Sequence, residues 1–482
     1  MKTIANYSAL ATAAFAAMVV GCRTDKDILN DYEANLMRGD YAASLAEVTE
    51  KAEAGGDSEQ MWRLLAAKLN YLRDDKVAAV AEFDRAEQVF ARNDQTSVYA
   101  QAGTDALAMM TNDKAFAYDG GGLDREFTCI YRAIDFMSSG QSDLARVELN
   151  RAMQYQMNWL GDRRREIDAA AEKLEADIAK YESENKSQSS GRGEAVDKAL
   201  ADASFAGQIR SKCNFDPSVS GDLNQIAAAD YMNVYALHLA GIFRWLAGDS
   251  DRNELRDAAR YAGNSPTVQR DAFERSQSMA PHNQVWIYVE DGLCPCREEW
   301  RLDLPIVFIP FAGRYIQYAG MALPYLRYRL DAAHQWRVNG VEMPIAADVD
   351  KLVKGEFDVY FRGALKREIT RTIVKVGVQV ALGVTAENVS DRNTRLALEW
   401  SQVAAAVWAA SVTAADLRSW TALPKTVRLA RVERPADGRI QLQGDGQPPI
   451  EVVVPEGNTL IFVRKPSAAA PAVVKTAVFP NR

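Results

Sequence analysis

The stretch APHNQVWIYVEDGLCPC, Ala280 to Cys296, divides the chain. Before Pro281 apolar residues recur at threes and fours among many alanines, the spacing of helices that bury one face. After it, VWIYVED (Val285 to Asp291) is a β-branched and aromatic run closed by turn residues, which is strand chemistry. EEWRLDLPIVFIP (Glu298 to Pro310) and QWRVNGVEMPI (Gln335 to Ile345) continue that pattern, the second around an Asn-Gly pair suited to a tight hairpin. Helical spacing returns over Arg367 to Val384 and Arg395 to Ala415. TVRLARVE, GRIQLQG, IEVVVPEG and NTLIFVRK, between Thr426 and Lys465, then predict four strands. The expected fold class is α+β and multidomain, with an all-α N-terminal part and a mixed C-terminal part containing antiparallel strands.

Upstream of the divide, MRGDYAASLAEV (Met37 to Val48) and LRDDKVAAVAEF (Leu72 to Phe83) align at an offset of 35 residues. Each reads as a polar turn followed by a helix. SSGQSDLARVELNRAMQY (Ser138 to Tyr155) and LAGDSDRNELRDAARYAG (Leu246 to Gly263) share the shape. A period near 34 residues resembles degenerate tetratricopeptide repeats, in which each unit buries its apolar face against the next. An irregular helical bundle is the alternative, because the large aromatic and Pro positions of that repeat are only partly filled. Residues 161–195 predict a long charged helix ending in the linker-like KSQSSGRG, Lys186 to Gly193. Within it, Arg163, Arg164 and Arg165 read as a solvated face before a lipid or glycan grip.

At the N-terminus, Lys2 precedes the run ATAAFAAMVVG and Cys22. The apolar segment has the length of a signal-peptide core, shorter than the roughly 20 residues of a spanning helix. Val19-Val20-Gly21-Cys22 resembles a bacterial lipobox. The resemblance implies cleavage of residues 1–21 and acylation of Cys22. Position 23 is Arg rather than an Asp that would retain such a protein in the inner membrane, which implies the outer membrane. A formal net charge of −8 argues against nucleic acid as partner.

Domain boundaries follow: residues 1–21 a signal peptide, 22–280 the helical repeat-like domain, 281–465 the α+β domain and 466–482 a loosely ordered tail. With 482 residues and 48% hydrophobic content, two or three packed cores are expected.

ADLRSWTALPKTVRLAR, Ala415 to Arg431, resembles the D-x-R-x-W-x-x-L-P segment of a family of uncharacterised bacterial lipoproteins with tetratricopeptide-like N-terminal halves. YVEDGL (Tyr288 to Leu293) and LHLAGIFRWLAGD (Leu237 to Asp249) are similar to other segments of that family. The resemblance implies location and architecture, and names no catalytic residue.

The remaining constellations give no clear chemistry. Cys294 and Cys296 form a C-x-C pair rather than the C-x-x-C of thiol redox work. With Cys22 acylated, Cys129, Cys213, Cys294 and Cys296 remain, an even number that predicts structural disulfides outside the cytoplasm, with free thiols the alternative. His238, His282 and His334 lack ligand spacing, so no metal site is assigned, and no cofactor. His238 reads as a satisfied core imidazole. Asp119-Gly120-Gly121-Gly122 lacks the Lys and Ser/Thr of a phosphate loop, and Glu298, Glu299 and Asp303 read as exposed strand-edge carboxylates. Asp416, Arg418 and Trp420 are the interaction candidates; an internal clamp at a helix-to-strand junction is equally open to them.

The function expected is a non-enzymatic, outer-membrane-anchored periplasmic scaffold for an unidentified protein partner, possible roles lying in envelope assembly. The alternative is a glycan- or small-ligand-binding protein, or a hydrolase, whose C-terminal pocket is lined by Trp286, Trp300 and Tyr315.

Overall fold

The computed structural model describes residues 24–95, 118, 120–158, 198–215, 232–263, 265–303, 319–388 and 413–481, with scattered positions between 390 and 409. Cys22, Asp119, the segment 161–195 and Tyr315 lie outside the described residues.

At the first described residue, Thr24, the hydroxyl accepts from Asp27 N while the Asp27 carboxylate accepts from Thr24 N, a reciprocal cap. From there α1 (Asp25–Arg38), α2 (Leu45–Ala54), α3 (Glu59–Leu72) and α4 (Lys76–Gln95) run back and forth. They are followed by α5 (Gly122–Ser138), α6 (142–158), α7 (Ala203–Cys213), α8 (Val234–Ala247), α9 (Glu254–Tyr261) and α10 (Pro266–Ser276). Small residues let neighbouring helices approach: a side chain at Gly241 in α8 would meet Leu255 of α9 at 2.6 Å.

Beyond residue 280 the strands are β1 (Gln284–Asp291), β2 (Cys296–Asp303), β3 (Gly320–Arg327), β4 (Trp336–Val338), β5 (Val341–Glu342) and β6 (Ile345–Asp348). A helix, α11 (Val349–Asn388), intervenes before β7 (Thr426–Glu433), β8 (Arg439–Gly444), β9 (Ile450–Val453), β10 (Asn458–Lys465) and β11 (Val473–Phe479). The Asn-Gly pair makes the expected hairpin: Asn339 and Gly340 both take positive φ, 48° and 84°.

Five strands form one sheet in the order β11-β10-β1-β7-β6, with β1 and β10 parallel and the other pairs antiparallel. A second sheet, β5-β4-β8-β9, is antiparallel throughout, and β2 and β3 form a separate hairpin. The chain is thus α+β, helical in its N-terminal half and rich in antiparallel strands in its C-terminal half.

Strand β1 is buried along its whole length because both its faces are covered. Trp286 and Tyr288 join Leu460, Phe462, Leu429 and Phe479 in one core with the helices, including Trp62, Leu65, Phe83, Tyr131 and Phe243. Val285, Ile287 and Val289 join Ile461, Val463, Trp336, Val338, Ile440 and Leu442 in a second core against the small sheet. A third core packs the β2–β3 hairpin on α7 and α11 through Met321, Leu323, Phe357 and Phe361. Burial of each large apolar side chain contributes about 1.5–3 kcal/mol, so the helix-to-sheet contact is a major source of stability. Residue 280 therefore marks a change of period inside a shared core.

The expected loose tail after residue 465 is instead the edge strand β11. Its alternate residues Lys475, Ala477 and Phe479 point into the helical layer, where Phe479 meets the Phe243 ring edge-on at 5.9 Å. Period-two burial outweighs the Ala/Pro composition that surrounds it.

Candidate functional site

Strand alternation positions an unusual cluster of buried charges and hydroxyls. Trp286, Tyr288 and Glu290 share the helix-facing side of β1, and the parallel register sets Glu290 opposite Arg464 of β10. The apolar face thus ends in a charged pair, 1% and 2% exposed. Arg464 Nε lies 3.7 Å from the Glu290 carboxylate, and its Nη1 and Nη2 donate to the carbonyls of Glu290 and Ala422, each at 3.1 Å.

From the helical layer, Tyr131 of α5 and Tyr235 of α8 each donate to a different Glu290 oxygen at 3.1 Å. Lys68 of α3 stands 3.7 Å from the same carboxylate, with Nζ 3.2 Å from the Tyr131 ring centre and 4.4 Å from that of Tyr71. Its amine has no hydrogen-bond partner among the described residues. Burial drives the Lys68 pKa well below the ordinary lysine value, and Glu290 pulls partly the other way. The Tyr131 and Tyr235 hydroxyls are pushed well up, first by burial and then by Glu290.

Two further polar joints lie on the same seam. His238 of α8 is held between Tyr288 Oη and Asp271 Oδ2, both at 2.9 Å, and Asp271 also accepts from Trp286 Nε1 at 2.9 Å and Arg431 Nη1 at 2.7 Å. His238 is thus the satisfied core imidazole expected from its helical position. On β11, Lys475 Nζ pairs with Asp135 of α5 at 2.6 Å and with Asp74 at 2.9 Å. Burial raises Asp135 to about 6 despite that lysine.

Asp416, Arg418 and Trp420 are 7%, 7% and 2% exposed, so they clamp the interior and offer no surface. Arg418 grips Asp416 through two bonds of 2.8 Å and donates to the Asp57 carbonyl at 2.7 Å, tying this segment to the loop before α3. Trp420 sits edge-on to Phe83 and Tyr131 at 6.1 and 5.8 Å. An Arg-x-Trp motif suits an interface centre, and here the interface is internal. Short backbone bonds complete the junction: Gly292 N to Lys465 O, Cys294 N to Leu423 O and Lys425 N to Asp291 O, each 2.9 Å. The segments 237–249, 288–293 and 415–431 therefore meet along one seam.

The expected disulfides are not formed: Cys129, Cys213, Cys294 and Cys296 are all buried free thiols. They are distributed among different packing environments, Cys129 and Cys294 in the helix-to-sheet core and Cys213 beside the hairpin. Cys294 and Cys296 sulfurs approach the carbonyls of Trp420 and Arg327 instead of each other. Burial pushes the Cys294 and Cys213 thiols up to about 12, which makes them poor nucleophiles. The strand-edge carboxylates are engaged as well: Glu298 with Tyr325 and Arg327, Glu299 with Arg301 and Ala415 N.

Of the aromatic residues expected to line a ligand pocket, two are described and Tyr315 lies outside the described residues. Trp286 is fully buried, Trp300 packs against the hairpin core, and Arg431 lies over the Trp286 ring at 4.8 Å. A cleft between Gly122, Leu123, Glu126, Tyr155, Gln156, Leu352 and Glu356 has room for about one water molecule. Behind it, burial and then Glu356 raise Asp124 to about 7, and burial raises Glu126 well above the usual carboxylate range. Among the described residues no group of three or more His, Cys, Asp or Glu is placed to hold a metal, and no helix is long and apolar enough to cross a membrane.

Perturbed side chains often mark catalysis. Here Lys68, His238, Glu290 and Asp135 are buried between the helical layer and the sheet and tie the two together. Comparison with protein-family models, with curated proteins and with solved structures returns no match.

Proposed function

We propose that this protein is an outer-membrane lipoprotein, acylated at Cys22, whose body acts in the periplasm as a protein-interaction scaffold in cell-envelope assembly. Helical pairs related to tetratricopeptide repeats form part of that scaffold. The supporting observation is where much of the reactive chemistry lies: Lys68, His238 and Glu290 are buried between the helical layer and the sheet and are engaged there by one another or by neighbouring side chains. A body of this kind has its outer surface to offer.

On that surface, α6 presents Leu144 and Val147, 48% and 52% exposed and one helical turn apart. An apolar pair on the outside of a helix is an anchor point for a partner helix or groove. Crosslinking in intact cells followed by recovery of the protein tests this. A defined partner should crosslink to wild type and be lost from the Leu144→Glu/Val147→Glu variant, which should keep the wild-type unfolding midpoint. Recovery of no specific protein from either chain would contradict the scaffold role.

A further inference from the structure

Glu290 follows Trp286 and Tyr288 on the core-facing side of β1, so its carboxylate must find every partner inside the protein. Two hydroxyls reach it: Oε1 accepts from Tyr235 and Oε2 from Tyr131, each at 3.1 Å. The two cations beside it stop short. Lys68 Nζ and Arg464 Nε both lie 3.7 Å from Oε2, beyond the roughly 2.7–3.2 Å of an N–H to oxygen bond. Their side chains are 0% and 2% exposed, and neither nitrogen has a hydrogen-bond partner among the described residues.

Neighbouring contacts hold both side chains at that spacing. Arg464 is fixed through its other two nitrogens, which donate to the carbonyls of Glu290 and Ala422 at 3.1 Å. Lys68 Nζ rests against aromatic rings, 3.2 Å from the centre of Tyr131 and 4.4 Å from that of Tyr71. A direct bond to Oε2 would require one of these contacts to be given up. A buried charged donor without an acceptor is costly, and polar groups set more than about 3.5 Å apart are commonly joined through a bridging molecule.

The chemistry of the three atoms decides what can bridge them. A cation at this point would face the Arg464 guanidinium, and an anion would face the Glu290 carboxylate. A small neutral molecule that accepts twice and donates once satisfies all three. We propose that Lys68, Arg464 and Glu290 form the binding site of one internal water molecule, which accepts from Lys68 Nζ and Arg464 Nε and donates to Glu290 Oε2. It links α3 to β1 and β10 at the centre of the seam. The site belongs to the folded body and does not depend on the acylation proposed above.

The experiment is a crystal structure of the full chain grown in sodium bromide, at a resolution that shows ordered water. The expected result is a density peak about 2.7–3.2 Å from all three atoms, with no bromine anomalous signal. Lys68→Met keeps the side-chain volume and removes one of the three partners, so its crystals should lose the peak. An anomalous signal at the site would make it an anion site and overturn the assignment. Direct contact of Lys68 or Arg464 with Glu290, with no density among them, would overturn it too, as would an unchanged peak in Lys68→Met.

Discussion

Glu290 and Arg464 face each other across the parallel β1–β10 pair, almost wholly buried, and the carboxylate between them is bound by hydroxyls from two different helices. One strand-borne charge thereby joins α5, α8 and the sheet. Removing one member of such a buried set leaves an uncompensated charge, while the set as a whole adds little over an apolar replacement.

The members of the set should therefore differ sharply. Glu290→Ala strands Arg464 and Lys68 and should cost about 3–5 kcal/mol. Lys68→Met removes an amine that has no hydrogen bond to a described residue and leaves the Arg464 contact in place, so its cost should stay below about 1.5 kcal/mol, as for other volume-conserving changes. Urea unfolding of both variants checks the contrast, and equal losses would refute it.

Acid should favour the folded state over the range set by three aspartates. Asp124 is raised to about 7, and Asp135 and Asp350 to about 6, in each case chiefly by burial. A raised carboxyl binds its proton more tightly in the folded chain, so its contribution is complete below the unfolded value near 4 and is lost as pH rises through 6–7. Lys68, with a lowered pKa, works in the opposite sense at higher pH. The difference between wild type and Asp124→Asn isolates one term: relative to wild type, the variant should be more stable at pH 8 than at pH 5. A pH-independent difference would show that Asp124 does not titrate in this window.

The thiols should behave as core residues. An alkylating reagent should label none of Cys129, Cys213, Cys294 and Cys296 in the native protein and all four after unfolding without reductant. Fewer than four labelled sites in the unfolded, unreduced chain would reveal a disulfide.

Loss of β11 should be severe. A chain ending at residue 466 exposes β10, leaves Asp135 without Lys475 and removes Phe479 from the main core. It should accumulate as aggregate or show a markedly lowered melting temperature; a soluble chain with wild-type melting would contradict the strand's role.

Much of the framework was legible because periodicity is local. The runs at 285–291 and 426–465 and the Asn339-Gly340 turn fall where residue type and spacing place them. Strand β11 carried a readable signal too, the alternation of Lys475, Ala477 and Phe479, masked by the neighbouring Ala and Pro residues. The seam was not legible, since Lys68, Tyr131, Tyr235, Glu290 and Arg464 come from five distant segments. Its one local hint is parity: Glu290 shares the core-facing phase of Trp286 and Tyr288, a position where a charge needs partners. Asp416, Arg418 and Trp420 stand close together in the sequence, but their burial depends on Asp57, Phe83 and Tyr131, which a single sequence does not pair with them.

The most direct test is mass spectrometry of the N-terminal peptide from chains separated by membrane fractionation. A lipid-anchored periplasmic scaffold predicts that the peptide begins at Cys22, carries acyl chains and sediments with the outer membrane. A peptide retaining residues 1–21, with an unmodified Cys22 thiol, in the cytosolic fraction would contradict it.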